Sequence, residues 1–288
     1  MKLQKNKILQ AVGFSFLTLC ILIVLTILCV ILFDITAKGI KSVSWSFLTE
    51  MPRKGMTEGG IMPAIAGTIL VTFITAVLAV PLGCFVAIYL NEYAKDTKLT
   101  RLIRLTIRNL SGVPSIVYGL FGVVLFVQSL KFGTCLLSAG LTLGLLTLPW
   151  TITASEEALK TVPKSYREGA YALGATKWQV IRTNVLPYAF GGILTGAILG
   201  VARAAGETAP ILFTGAAFYL PFLPESGFDQ FMALPYHLYI LATQHHAIGQ
   251  VRPLAYATAL VLLALIFSMN FIAIIIRYRI RKKTMLVH

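Results

Sequence analysis

Arg203 and Glu207 stand four residues apart inside the apolar run GGILTGAILGVARAAGETAPILF. A charge at membrane depth is expensive, so such residues pair and face a bundle interior or an aqueous path. A guanidinium presents a planar fork of donors suited to a tetrahedral oxyanion. A neighbouring carboxylate would hold the guanidinium and keep a bound anion releasable. The same two residues would serve equally as a buried bridge that fixes helix register, and the sequence leaves both roles open. Ser111 and Ser115, in SGVPSIVYGLFG, add hydroxyls that either line a polar path or belong to a packing face of small residues. Gly192, Gly196, Gly200 and Ala204 form a small-xxx-small ladder. On an unbroken helix turning ~100° per residue, Arg203 lies about 20° and Glu207 about 60° from Gly192. The ladder and the charges therefore share one arc.

Other reactive types point to no chemistry of their own. His245 and His246, with His237, Glu225 and Asp229 nearby in sequence, are the best case for a membrane-embedded hydrolase. Adjacent histidines point to different sides of a regular element, and no H-E-x-x-H spacing accompanies them. The expectation is a solvated loop, with no catalytic residue and no metal. Cys20, Cys29, Cys84 and Cys135 sit in or beside apolar runs without metal spacing, which predicts small apolar fillers rather than disulfides. No G-x-x-x-x-G-K-[ST] pattern occurs, so the chain cannot cradle nucleotide phosphates as a P-loop does.

The elements that position these residues are membrane helices. Of 288 residues, 57% are hydrophobic and only 12% charged, far from a soluble balance. A span needs roughly 20 apolar residues. Six segments qualify: 8–33, 64–90, 107–130, 134–155, 188–220 and 253–277, with Pro114 kinking the third. The first is too long for a leader's apolar core and reads as an uncleaved anchor. Eighteen of the 25 lysines and arginines fall on one side if both termini are inside (Lys2, Lys5, Lys7; the 95–108 and 160–182 clusters; Arg277 to Lys283). The expected topology is N-in, C-in. Anionic headgroups account for the net charge of +14, and nucleic acid is not required.

Between two spans lies a polar loop, EEALKTVPKSYREGAYALGATKWQVIRTNVLP, from Glu156 to Pro187. Ser165 is expected to cap a helix over Tyr166 to Gly174, with Gly174 ending it. A second helix starts near Thr176. Small residues let a partner approach, and Tyr171 and Trp178 offer aromatic anchors. The run Glu168-Gly169-Ala170, then Gly174, then Leu186-Pro187 resembles the EAA loop of ABC-importer permeases, E-A-A-x3-G-x9-I-x-L-P. Gly169 replaces the first Ala, and Asn184 occupies the Ile slot. Asn109 to Gly122 and Ala205 to Pro210 are similar to the two signatures of phosphate-specific permeases, closer to the A-type. The similarity covers about residues 62–275.

The resemblance implies an all-α polytopic fold of six spans, the type I ABC importer permease (MetI-like) fold. Residues 1–60 would form an anchor and first outer loop, 61–278 the permease domain with coupling loop 156–187, and 279–288 a basic tail. Glu168, Gly169, Ala170, Leu173, Gly174 and Trp178 would dock an ATPase dimer that carries the ATP and Mg²⁺, leaving this chain without a cofactor. A homologous second permease and an extracytoplasmic phosphate-binding protein would complete a bacterial inner-membrane importer, and lipid would surround it. Sulfate or molybdate is the alternative cargo.

Overall fold

The computed structural model describes the backbone of residues 2–285 and the side chains of residues 10–279. The side chains of Lys2, Lys5, Lys7, Arg281, Lys282 and Lys283, and most of the basic tail, lie outside the described residues. Apolar runs shut away from water satisfy their own backbone groups by helix formation. In chain order, α1 (Lys2–Gly39) leads to the short α2 (Trp45–Thr49). A small hairpin of two-residue strands follows, β1 (Pro52–Arg53) with β2 (Glu58–Gly59), within an otherwise helical fold. Helix α3 (Met62–Ile88) passes into a π turn at Tyr89–Tyr93. Next come α4 (Lys98–Leu110), α5 (Ser115–Gly122) with a π segment at Val123–Ser129, and α6 (Leu136–Lys160). The polar loop folds as α7 (Lys164–Ala172) and α8 (Lys177–Val180). After a π turn at Ile181–Val185 the chain continues as α9 (Leu186–Ala205), α10 (Ala209–Thr214), α11 (Leu234–Thr243) and α12 (Ile248–Met285).

Among the described residues, five stretches are long and apolar enough to span a membrane: Gln10–Ser42, Met62–Tyr93, Leu136–Lys160, Lys177–Ala205 and Ile248–Arg279. A bent pair, Lys98–Leu110 with Ser115–Ser129, turned by 102°, is long and apolar enough only when its two helices are taken together. The expected third span, 107–130, is thereby corrected. Residues 107–110 belong to α4, which runs across α5. Pro114 bars an α conformation at the residue before it, and the Tyr118 hydroxyl donates to the Leu110 carbonyl at 3.0 Å to hold the corner. The expected fifth span, 188–220, is also corrected. It starts earlier, at Lys177, and ends at Ala205; the chain breaks at Gly206 before α10.

Helix α6 is the hub and packs on α3, α5, α9 and α10. Its buried threonines, and those of α3, return their hydroxyls to their own helix. Thr72 donates to the Thr68 carbonyl at 2.6 Å, and Thr147 to the Leu143 carbonyl at 2.7 Å. That removes the penalty of a buried donor. The ladder brings α9 onto α6, since a methyl at Gly192 would meet Ala158 at 2.7 Å and one at Gly196 would overlap Ala154. Helix α1 is apolar and exposed from Val12 to Val30. It meets α12 where Lys38, paired to Asp34 at 2.6 Å, lies over the Tyr256 ring. Among the described cysteines all four are free; Cys135 does more than fill space, accepting from the Ser138 N–H at the start of α6.

Candidate functional site

The polar loop forms a shallow platform. Helix α7 begins after Pro163, whose fixed φ suits a helix start, and Ser165 is not its cap. Gly174 ends the turn at φ +81°, with its N–H on the Tyr171 carbonyl at 2.9 Å. Thr176 and Gln179 then form a reciprocal capping box that opens α8. Tyr166, Glu168, Gly169, Tyr171, Leu173 and Trp178 are exposed, with Leu173 90% exposed. Large apolar groups thus lie exposed together on a structured polar loop. Ala170 and Ala175 face inward onto a cluster that includes Leu159, Val162 and Ile181. A cleft of about 470 Å³ opens between Tyr166, Gly169, Leu173 and Asn184. Asn184, in the slot where the loop pattern has Ile, is turned toward the Tyr166 carbonyl at 3.4 Å. A Cβ at Gly169 would meet nothing within 4 Å, so nothing in this chain requires glycine there.

What holds the platform is not local in sequence. Arg167 reaches Glu92, in the π turn after α3, through Nη2–Oε1 at 2.7 Å and Nε–Oε2 at 3.3 Å. It also donates to the carbonyls of Val162 at 2.8 Å and Leu159 at 3.2 Å. Arg104 of α4 similarly pairs with Glu156 of α6 at 2.8 Å and donates to the Leu90 carbonyl at 2.6 Å. The charge pattern alone assigns both arginines to headgroups. The buried carboxylates claim them instead, because an unpaired buried charge is costly. The available signal was acidic: Glu92 and Glu156 close apolar runs in a chain with only 11 acidic residues. Arg277, likewise, donates to Thr195 of α9 at 2.6 Å.

The second candidate lies at the end of α9. Arg203 and Glu207 pair at 3.5 Å although the helix stops between them, with side chains 50% and 18% exposed. The Arg203 guanidinium also sits 4.8 Å over the Trp150 ring of α6, a cation–π contact. The ladder packs within this chain against α6, and the half-exposed Arg203 rests on the edge of the same helix at Trp150. Ser111 spends its hydroxyl on the Arg108 carbonyl at 2.6 Å in the corner, and Ser115 opens α5. Gly119 abuts Ala209 and Pro210, so the two signature stretches, far apart in sequence, meet in space.

The expectation of a solvated histidine loop holds for His246 and Glu225, which are exposed, but not for His245 and His237. His245 is buried and bonds the Gly55 carbonyl through Nε2 at 2.7 Å, while its Nδ1 accepts from Ala247 N–H at 3.1 Å. His246 stacks on it at 4.4 Å rather than pointing away. His237 is fully enclosed, and burial, with His245 adding, pushes its pKa down to about 4. No cluster suited to a metal occurs among the described residues.

Residues 79–282 match the family described as binding-protein-dependent transport system inner membrane component. The chain is 35% identical over 95% of its length to the phosphate transport system permease protein PstA 1 of Mycobacterium tuberculosis (strain CDC 1551 / Oshkosh), covering 90% of that protein. It is 34% identical over 73% of its length to the probable ABC transporter permease protein YqgI of Bacillus subtilis (strain 168), covering 71%. In fold it is similar to a chain of the MetNI methionine ABC transporter in an inward-facing form, with TM-score 0.61, 19% identity, and 75% and 94% of the two chains covered. A bacterial ABC transporter involved in the import of alginate gives TM-score 0.68 at 13% identity, with 97% and 99% covered. The chain is thus an integral membrane protein that belongs to the family of binding-protein-dependent transport system inner membrane components.

Proposed function

We propose that this chain is a permease subunit of an ATP-driven importer of inorganic phosphate, seated in a bacterial inner membrane with both termini inside. The observation that carries the reading is 35% identity over 95% of the chain to a phosphate permease, with the oxyanion-suited Arg203 at the end of α9. The exposed platform of Glu168, Gly169, Ala170, Leu173, Gly174 and Trp178 docks a separate ATPase dimer, which holds ATP and Mg²⁺. A homologous second permease completes the pathway, and an extracytoplasmic binding protein delivers phosphate. Closure of the motor presses on α7. Arg167 passes that displacement to the ends of α3 and α6, and the spans rock between outward and inward openings. Arg203, restrained by Glu207 and Trp150, meets the anion transiently; Ser111 and Ser115 flank the corner by which α5 enters the bundle.

The test is radiolabelled phosphate uptake in cells lacking the chain, before and after its restoration, with excess unlabelled sulfate present. Restored, sulfate-insensitive uptake is expected. Uptake independent of the chain would end the phosphate assignment, and competition by sulfate or molybdate would move the cargo to another oxyanion.

A further inference from the structure

Helix α4 touches the base of the platform through Arg104, and its composition is unusual. Its faces separate, apart from Leu105, which is exposed on the flank beside Arg101. Leu99, Leu102, Ile103 and Leu110 share one side and are all exposed, as 100° per residue places them. Arg101, Arg104 and Arg108 occupy the opposite side, and the helix contains no acidic residue. Such a helix, apolar on one face and cationic on the other, lies in a membrane interface. The tertiary structure supplies its level and direction. It is turned 102° from the segment Ser115–Ser129, so it runs across that span rather than along it. Arg104 ties it to Leu90 and Glu156, at the ends of α3 and α6 from which the platform springs.

The cations divide by what they already hold. Arg101 is neutralised by Asp96, bonded twice at 2.8 and 2.7 Å, and Arg104 by Glu156. Lys95, Lys98 and Arg108 are exposed and form no ion pair among the described residues. We propose that α4 is an in-plane lipid-binding helix, with its leucine face in the acyl layer and Lys95, Lys98 and Arg108 gripping the phosphate groups of anionic lipids. Its ligand is the bilayer and no protein subunit covers its apolar face. Through Arg104–Glu156 the anionic lipid surface steadies the base on which the coupling platform stands. This inference uses only the fold and the charge pattern, so it stands whichever anion the permease carries.

The purified full-length chain in phosphatidylcholine vesicles tests it in two ways. Spin-labelled phosphatidylglycerol and spin-labelled phosphatidylcholine report which lipid the protein retains at its surface. The expected preference for phosphatidylglycerol is about fivefold, the factor one cation supplies beside an anionic headgroup. It should fall to near parity in a Lys95→Gln/Lys98→Gln/Arg108→Gln variant and shrink in high salt. In parallel, a nitroxide at Leu102→Cys, placed in a chain with Cys20, Cys29, Cys84 and Cys135 replaced by serine or alanine, should be open to oxygen and shielded from a water-soluble nickel chelate. The assembled transporter should give the same accessibility. No lipid preference, a preference indifferent to the triple substitution, or a nitroxide that assembly closes to oxygen would overturn the proposal, the last by assigning the face to a protein partner.

Discussion

Arg167 and Glu92, 75 positions apart in sequence, form a two-point ion pair at 2.7 and 3.3 Å with side chains only 19% and 8% exposed. The same guanidinium bonds two carbonyls at the end of α6. One side chain thus joins the platform helix to the ends of two spans. Elements joined by several directional bonds move together, which makes this pair the mechanical root of the platform.

Removing one partner strands the other's charge in a poorly solvated place, at about 3–5 kcal/mol. Arg167→Ala should lower the thermal midpoint of the purified chain and abolish coupled uptake. Glu92→Gln should be milder, since the amide oxygen still accepts from the guanidinium. The check is a melting curve of each variant beside its uptake rate; equal midpoints for wild type and Arg167→Ala would remove the pair from the structure's support.

At Gly169 a methyl group enters open space and removes the flexibility of a mid-helix glycine. Gly169→Ala should therefore stabilise α7 by about 0.5–1 kcal/mol and leave uptake intact. Gly174 is different, because φ +81° is a conformation side chains resist. Gly174→Trp should leave the spans folded while ATP hydrolysis by the assembled complex continues without uptake. Glu168→Lys, on the exposed face, should do the same. Normal uptake in both of these variants would exclude the platform from coupling.

Arg203→Ala should abolish phosphate uptake, yet the ATPase should still co-purify with the chain. Trp150→Phe keeps a ring beneath the guanidinium and should retain uptake, whereas Trp150→Ala should raise the half-saturating phosphate concentration. If Arg203→Ala fails to assemble at all, the residue's role is structural.

His237 carries a pH dependence with a definite sign. Its folded pKa, about 4, lies below the unfolded value near 6.5, so the folded protein binds fewer protons between the two. Its contribution is complete above about pH 6.5 and is lost as pH falls to about 4, amounting to ~3 kcal/mol. Melting curves across that window should slope accordingly, and His237→Leu should flatten the slope. An unchanged slope in that variant would assign the dependence to other groups.

The sequence by itself determined the class and most of the plan. Long apolar runs can only be membrane helices, because hydrocarbon offers no partner for an open backbone. The Gly174 stop and the Thr176 start were legible because they are local, each set by one or two residues' own geometry. Only the tertiary structure decided which charges meet. Glu92 with Arg167, Glu156 with Arg104, and His245 with the Gly55 carbonyl join residues distant in the chain, and no local propensity encodes such pairings. The same holds for the ladder, whose sequence announces a close approach but not the neighbour, which proved to be α6. The corner at Pro114 was half legible. Proline declared a bend, but its 102° size depends on where Tyr118 and Arg104 find their partners, and partners are a property of the packed bundle.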